Sequence, residues 1–133
     1  MKYILDTHIF IWVLSDLSKL SANQLAVMNN KKHEFFISPA TMWEMAIKVR
    51  IGKLALSSPF DKMIDKERKR AKIKVLPISL AHYQLISTLD APKDHQDPFD
   101  HLIISQAISE NMGIITQDGK FPYYIWQGLN IIS

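Results

Sequence analysis

Short apolar runs alternate with longer segments of helical length along the chain. The apolar runs predict five strands, at 2–5, 34–37, 74–76, 114–116 and 129–131. The segments between them predict helices from Thr7, over 21–29 and 40–51, from Ser58-Pro59 onward, and over 79–88 and 98–111. Strands that alternate with helices in this way predict an α/β fold, a three-layer sandwich around a mainly parallel central sheet.

Glycine and proline mark several of the predicted boundaries. Gly52 follows the third helix, where a left-handed C-terminal cap is expected, and Gly113 is expected to terminate the sixth helix. Pro59 is expected in the first turn of the fourth helix, where its missing N–H costs nothing.

Length and composition exclude several classes of protein. The chain has 133 residues, which suits a single domain over 1–133. It has no cysteine, which excludes a disulfide framework, a thiol nucleophile and a zinc ribbon, and fits a reducing cytoplasm. No signal peptide is recognisable, and no apolar run approaches the ~18–20 residues of a membrane helix. We therefore expect a soluble cytoplasmic protein with no membrane partner.

The net charge of +3 conceals an uneven distribution. Residues 62–74, here called the basic strip, carry seven Lys and Arg against two Asp and Glu, or +5; the nine bases and eleven acids elsewhere give −2. Such a strip could attract nucleic-acid phosphates, but it is more often the solvated face of a helix.

Carboxylates follow two of the predicted strands and lie early in two predicted helices. Asp6 comes directly after the first strand, and Asp118 follows the fourth. Asp97 and Asp100 open the sixth helix, and Glu44 lies in the first turns of the third. In open α/β sheets ligands bind beyond the carboxyl ends of the strands, so we expect these acids to converge there.

Three of these acids also have a purely structural interpretation. Asp6 could be the N-cap of the first helix, which is worth about 1 kcal/mol. Asp97 is better explained as the N-cap of the sixth helix, because Pro98 then takes the first helical position. Asp118 could serve the turn before Gly119. Asp97 is therefore only an accessory candidate.

The other two acids lie on or beside apolar faces of their helices. Glu44 borders the apolar stripe of its helix, although an i,i+4 ion pair with Lys48 would also explain it. A carboxylate on the buried side of a helix needs a partner. Asp100 is in that position, since it falls within the stripe formed by Ile103, Ile104 and Ala107.

Carboxylates crowded at one edge repel one another unless they protonate or hold a cation. Oxygen ligands without cysteine favour Mg²⁺ or Mn²⁺ over zinc. Mg²⁺ bound by a few carboxylates typically completes its coordination with water and substrate phosphate, so the expected chemistry is phosphoryl transfer.

Four segments, in order along the chain, carry a resemblance to a known family. They are LDTH at 5–8, SPATMWEMAIKVRIGKL at 38–54, HQDPFDHLIISQA at 95–107, and ITQD at 115–118 followed by Phe121. Together they resemble PIN-domain ribonucleases, and most of all the VapC toxins of bacterial toxin–antitoxin pairs. The resemblance extends over nearly the whole chain.

The resemblance implies a PIN-like fold and a metal-dependent endoribonuclease that leaves 5′-phosphate ends. The family's acidic site corresponds to Asp6, Glu44, Asp100 and Asp118, with Asp97 as an accessory metal ligand and Mg²⁺ or Mn²⁺ as cofactor. The implied partners are the RNA substrate and a cognate antitoxin whose C-terminal segment covers the site. The family also commonly forms homodimers and larger toxin–antitoxin assemblies.

Two positions around the DPFD segment qualify this comparison. Members of the subgroup usually carry Arg directly after it, whereas this chain has His101, so a phosphate or antitoxin contact made by that Arg is in doubt. His95 matches a common family histidine and is better explained as a hydrogen-bonding loop residue than as a metal ligand.

The aromatic residues have two interpretations. The stretch that contains Phe121, Tyr123, Tyr124 and Trp126 could stack on bases or pack on the core or a partner. Trp12 and Trp43 lie in apolar helical patterns and are expected in the core.

Three alternative functions remain open from the sequence. Metal-free RNA cleavage by a histidine acid–base pair would leave a 2′,3′-cyclic phosphate, but nothing places two histidines together. A catalytically inactive PIN-like module that binds RNA or protein is the second, and the complete acidic set argues against it. An aspartyl phosphatase is the third, and His8 stands where its second Asp is needed.

Overall fold

A five-stranded sheet forms the centre of the computed structural model, which describes residues 1–133. The strands lie in the order β3-β2-β1-β4-β5, and every neighbouring pair is parallel. The expected mainly parallel sheet is therefore confirmed. The strands are β1 (Lys2–Leu5), β2 (Glu34–Ile37), β3 (Ile73–Val75), β4 (Gly113–Ile115) and β5 (Asn130–Ile132).

Six α-helices connect or flank these strands, one at each predicted place. They are α1 (Thr7–Ser15), α2 (Ala22–Met28), α3 (Pro39–Arg50), α4 (Phe60–Arg70), α5 (Leu80–Thr88) and α6 (Pro98–Ser109). Two 3₁₀ helices, Leu17–Lys19 and Phe121–Gln127, were not expected from the sequence. No helix combines the length and apolar character that a membrane span requires.

Helices cover both faces of the sheet, as a three-layer sandwich requires. Alternate residues of β1 point to opposite faces: Tyr3 and Leu5 belong to one buried cluster, which α1 and α4 complete, and Ile4 belongs to the other, which α6 and the 3₁₀ helix 121–127 complete. The central strand is thus buried on both sides, which explains its uniformly apolar sequence.

Several boundaries differ from the sequence prediction by one residue. β3 and β4 start and end one residue earlier than expected, and β5 one residue later. Gly113 does not terminate α6; Asn111 takes the left-handed conformation there, with φ of 54°, and Gly113 opens β4. Pro59 is the N-cap of α4 and not part of its first turn. Gly52 is left-handed as expected, with φ of 78°.

The tryptophan prediction is wrong for Trp43. Its side chain is 64% exposed on α3 and meets the Phe99 ring edge-on, with the ring centroids 5.0 Å apart. Phe121 and Tyr124 are fully buried, whereas Trp126 is 67% exposed, so the aromatic stretch divides between core and surface. One short 3₁₀ helix presents both a buried and an exposed face, which composition alone does not separate.

Gly113 allows β4 to approach the aromatic side chain of β1. A Cβ at this position would lie 2.6 Å from Cδ1 of Tyr3. The Tyr3 ring is buried and stacks on Phe35, so it has little room to move.

We predict that Gly113→Ala destabilises the fold by about 1–3 kcal/mol, the usual range for overpacking a core. Urea unfolding measures the effect. Gly119→Ala is the matched control, because a Cβ at Gly119 would have no heavy atom within 4 Å. Equal stability of the two variants would contradict the proposed steric role of Gly113.

Candidate active site

Asp6 and Asp118 follow the carboxyl ends of β1 and β4, the neighbouring strands at which the strand order of the sheet changes direction. β1 is central; β2 and β3 extend the sheet on one side, and β4 and β5 on the other. The backbone N–H of Asp6 donates to the carbonyl of Ile115 at 3.0 Å, which continues the β1–β4 ladder. Both carboxylates line one cavity of about 220 Å³. The predicted convergence of these two acids is thus present.

The Thr116 hydroxyl joins the two acidic segments. It donates to Oδ2 of Asp6 at 2.9 Å and accepts from the backbone N–H of Asp118 at 3.0 Å. Asp6 occupies the N-cap position of α1, but its side chain makes no capping hydrogen bond, so capping does not explain the carboxylate. Burial raises the pKa of Asp6; the Thr116 hydrogen bond opposes this effect, and the charge of Asp118 adds to it.

Asp97 is the side-chain cap of α6. Its Oδ1 accepts from the backbone N–H groups of Phe99 at 2.8 Å and Asp100 at 3.2 Å. Pro98 takes the first helical position, as expected from the sequence. The capping interpretation is confirmed, and an accessory metal role for Asp97 stays a prediction.

Asp100 is the most strongly perturbed group of the site. Burial raises its pKa to about 8, and the charges of four other acids add to the shift: Asp97, Asp6, Asp118 and Glu44. At neutral pH this carboxyl therefore holds a proton unless a cation replaces the proton. The same four acids are those that the sequence placed at this edge.

His95 connects Asp100 to the buried Tyr124. Its Nε2 lies 2.9 Å from Oδ2 of Asp100, and its Nδ1 lies 2.8 Å from the Tyr124 hydroxyl. When Asp100 is ionised, Nε2–H donates to it and the tyrosine donates to Nδ1; when Asp100 is protonated, both bonds reverse. Burial raises the pKa of Tyr124 to about 12, so its hydroxyl keeps its proton in both arrangements. Both ring nitrogens are occupied, and His95 orients Asp100.

His101, which stands where the family resemblance implies Arg, has a structural contact. Its Nε2 donates to the backbone carbonyl of His95 at 2.8 Å. It therefore links α6 to the loop that carries His95.

Glu44 has one carboxylate oxygen without a partner. Its Oε2 lies 3.4 Å from Nζ of Lys48, which is the ion pair allowed by the sequence, whereas Oε1 is buried and accepts no hydrogen bond. An unpartnered buried anionic oxygen is costly, and a bound cation would satisfy it.

The arrangement fits a hard divalent cation. One ligand atom each from His95, Asp100 and Asp118 lie within 4.8 Å of one another. Because both nitrogens of His95 are occupied, the available donors are oxygens: the carboxylates of Asp6, Asp100 and Asp118, and Oε1 of Glu44. An all-oxygen donor set suits Mg²⁺ or Mn²⁺.

Two glutamines that the sequence did not single out fix the loop after β4. Gln24 is fully buried in α2 and donates to the carbonyls of Thr116 at 3.0 Å and Ile132 at 3.1 Å. Gln117 donates to Oε1 of Gln24 at 2.8 Å and to the carbonyl of Lys19 at 2.9 Å. The S-x-x-Q capping box at Ser21 was the only sequence signal for Gln24, and it indicated only the helix start.

The basic strip lies on α4 and β3, at the edge of the sheet away from β4. Four of its seven bases form ion pairs with nearby acids. This arrangement favours the solvated-helix interpretation over a phosphate-binding surface. The paired bases are Arg68 and Lys69 with Asp65, Arg70 with Glu67, and Lys74 with Glu34.

The chain belongs to the PIN domain family, whose model matches residues 3–125. VapBC2 from Rickettsia felis bound to a DNA fragment from their promoter is 19% identical and covers 98% of this chain and 97% of its own, with a TM-score of 0.69. VapBC-1 from nontypeable Haemophilus influenzae is 24% identical, and the match covers 98% of this chain and 96% of that chain with a TM-score of 0.65. FitAcB from Neisseria gonorrhoeae is 14% identical, and the match covers 98% of this chain and 96% of that chain with a TM-score of 0.64.

These matches confirm the resemblance to PIN domains and show that the fold is shared with VapBC structures. No curated protein sequence matches the chain significantly.

The raised pKa of Asp100 predicts a pH-dependent stability in the absence of metal. The pKa is about 8 in the fold against an ordinary value of 3.8, so the folded state holds the proton more tightly than the unfolded chain. Stability should therefore fall as pH rises from about 4 to about 8 and stay low above that.

Asp100→Asn removes this ionisation. We expect the metal-free variant to match the unsubstituted protein near pH 4 and to exceed its stability near pH 9 by at least about 1 kcal/mol, since one pKa unit corresponds to about 1.4 kcal/mol. Thermal unfolding in EDTA measures this, with the exposed Asp94→Asn as control. A difference that does not change with pH would contradict the assignment.

Proposed function

We propose that this protein is a metal-dependent endoribonuclease of the VapC toxin type, which hydrolyses RNA phosphodiester bonds and leaves 5′-phosphate ends. The observation that carries the proposal is the convergence of four other acids on Asp100: burial raises the pKa of Asp100 to about 8, and the charges of the four acids add to the shift. A divalent cation would compensate both the burial of these carboxylates and their repulsion. PIN domains are generally nucleases, which supports the same conclusion.

In this proposal Asp6, Glu44, Asp100 and Asp118 hold Mg²⁺ or Mn²⁺, with Asp97 at the margin of the site. The bound ion would lower the pKa of a water molecule, polarise the phosphodiester and stabilise the leaving oxygen. Thr116 orients the carboxylate of Asp6, and the His95–Tyr124 pair orients that of Asp100. The chain's own contribution is thus a set of fixed, partly desolvated oxygens.

We also propose a cognate antitoxin as protein partner, with the toxin as a homodimer within a larger toxin–antitoxin assembly. The similarity in fold to VapBC and FitAcB structures supports this proposal. The carboxylates of Asp6 and Asp118 that line the cavity would be a suitable target for a basic segment of such a partner.

Asp6→Asn and Asp100→Asn should each reduce RNA cleavage by at least about 100-fold while the protein stays folded, because each removes an anionic ligand of the ion. Initial rates on labelled RNA, together with circular dichroism, test this. Asp94→Asn should cleave at the normal rate, since Asp94 lies on an exposed loop. Normal cleavage by both site variants would refute the assignment.

Removing metal separates the proposed chemistry from a histidine mechanism. Excess EDTA should abolish cleavage, and Mg²⁺ or Mn²⁺ should restore it and raise the melting temperature of the unsubstituted protein more than that of Asp100→Asn. The products should carry 5′-phosphate. Cleavage that persists in EDTA and leaves 2′,3′-cyclic phosphate would instead support the metal-free histidine mechanism.

A further inference from the structure

Trp12 lies at the margin of the core, beside the acidic site. Its half-buried side chain packs against the core and also lines the cavity of about 220 Å³ together with His8, Gln117, Asp6 and Asp118. The lining of the cavity therefore combines carboxylates with an aromatic side chain.

The cavity of about 220 Å³ has room for a group larger than a bare divalent ion. Trp12 adds an apolar, aromatic surface that an ion does not use. Such a surface next to the carboxylates suits a flat, uncharged group that is attached to the reacting phosphate.

The aromatic wall is held in place and has a cation next to it. Trp12 packs against the core, and the side chain of Gln117, which lines the same cavity, is fixed by two hydrogen bonds. Nζ of Lys19 lies 5.9 Å from the centroid of the Trp12 ring, is exposed, and forms no ion pair. The His8 ring lies 6.2 Å from Trp12, centroid to centroid.

We propose that this cavity is a base-binding subsite, in which one unpaired base of the RNA substrate stacks on Trp12 and Lys19 contacts the backbone phosphate of that nucleotide. The inference rests on the proposed ribonuclease function and assigns a base contact and a phosphate contact of its substrate to Trp12 and Lys19. A base in a duplex is stacked on both faces and cannot reach the ring, whereas a base in a loop or single strand can.

Binding to a cleavage-defective protein tests the subsite directly. Fluorescence anisotropy of a short labelled single-stranded RNA is measured in the Asp100→Asn background with Mg²⁺. Trp12→Leu should weaken binding at least about fivefold, the lower limit for loss of one base–aromatic stack, whereas Trp12→Phe should retain most of the affinity. Trp126→Leu is the control, because Trp126 is equally aromatic and more exposed but does not line the cavity.

The fluorescence of Trp12 tests the subsite without substituting Trp12 itself. The chain has three tryptophans, so Trp43→Phe with Trp126→Phe leaves Trp12 as the only one. Single-stranded RNA should quench its fluorescence, and the same strand annealed to its complement should not. Lys19→Met should weaken binding and reduce the salt dependence of the affinity, as expected for loss of one phosphate contact.

The outcomes separate this inference from the proposed function. Unchanged affinity in Trp12→Leu, or equal quenching by duplex and single strand, would overturn the subsite even if metal-dependent cleavage is observed. Selective quenching of Trp12 by single-stranded RNA would support the subsite, and in a protein without cleavage activity it would indicate an RNA-binding module.

Discussion

The pairing of β1 with β4 is the constraint on which the candidate site depends. These strands are far apart in the chain, and their parallel register places Leu5 opposite Ile115. Asp6 and Thr116, the next residues on each strand, therefore become neighbours, and the threonine hydroxyl bonds to the carboxylate. A shift by one residue in this register would turn every following side chain to the other face of the sheet. Gly113 contributes to the same pairing, because its lack of a side chain lets β4 approach Tyr3.

The fold holds the acids together against their mutual repulsion. Burial raises the pKa of both Asp6 and Asp100, and the charge of Asp118 adds to both shifts. Hydrogen bonds from Thr116 to Asp6 and between His95 and Asp100 offset part of this cost in the metal-free protein. In the proposed function the cation would therefore meet carboxylates that the fold already holds in place, which is the usual condition for electrostatic preorganisation.

Much of the fold could be predicted from the sequence, because strand and helix periodicities differ and caps such as Ser21 and Asp97 act locally. Asp6 and Asp118 could be assigned to one edge because strand ends in a parallel sheet share a direction, and Asp100 was singled out by the apolar stripe of its helix. Gln24 and Trp43 could not be placed correctly, since their environment is set by residues distant in the chain. The buried amide of Gln24 bonds to Thr116 and Ile132, 92 and 108 residues away.

Asp6 and Thr116 are 110 residues apart in the sequence, so the hydrogen bond between them forms only when the chain has folded. The two halves of the acidic cluster join only when the chain has closed a loop that contains most of the sheet. Closing so long a loop is entropically unfavourable and slow, so a partly folded chain has no intact cluster. The affinity for a ligand and the stability of the fold are therefore coupled. Any ion that binds these acids also stabilises the pairing of β1 with β4.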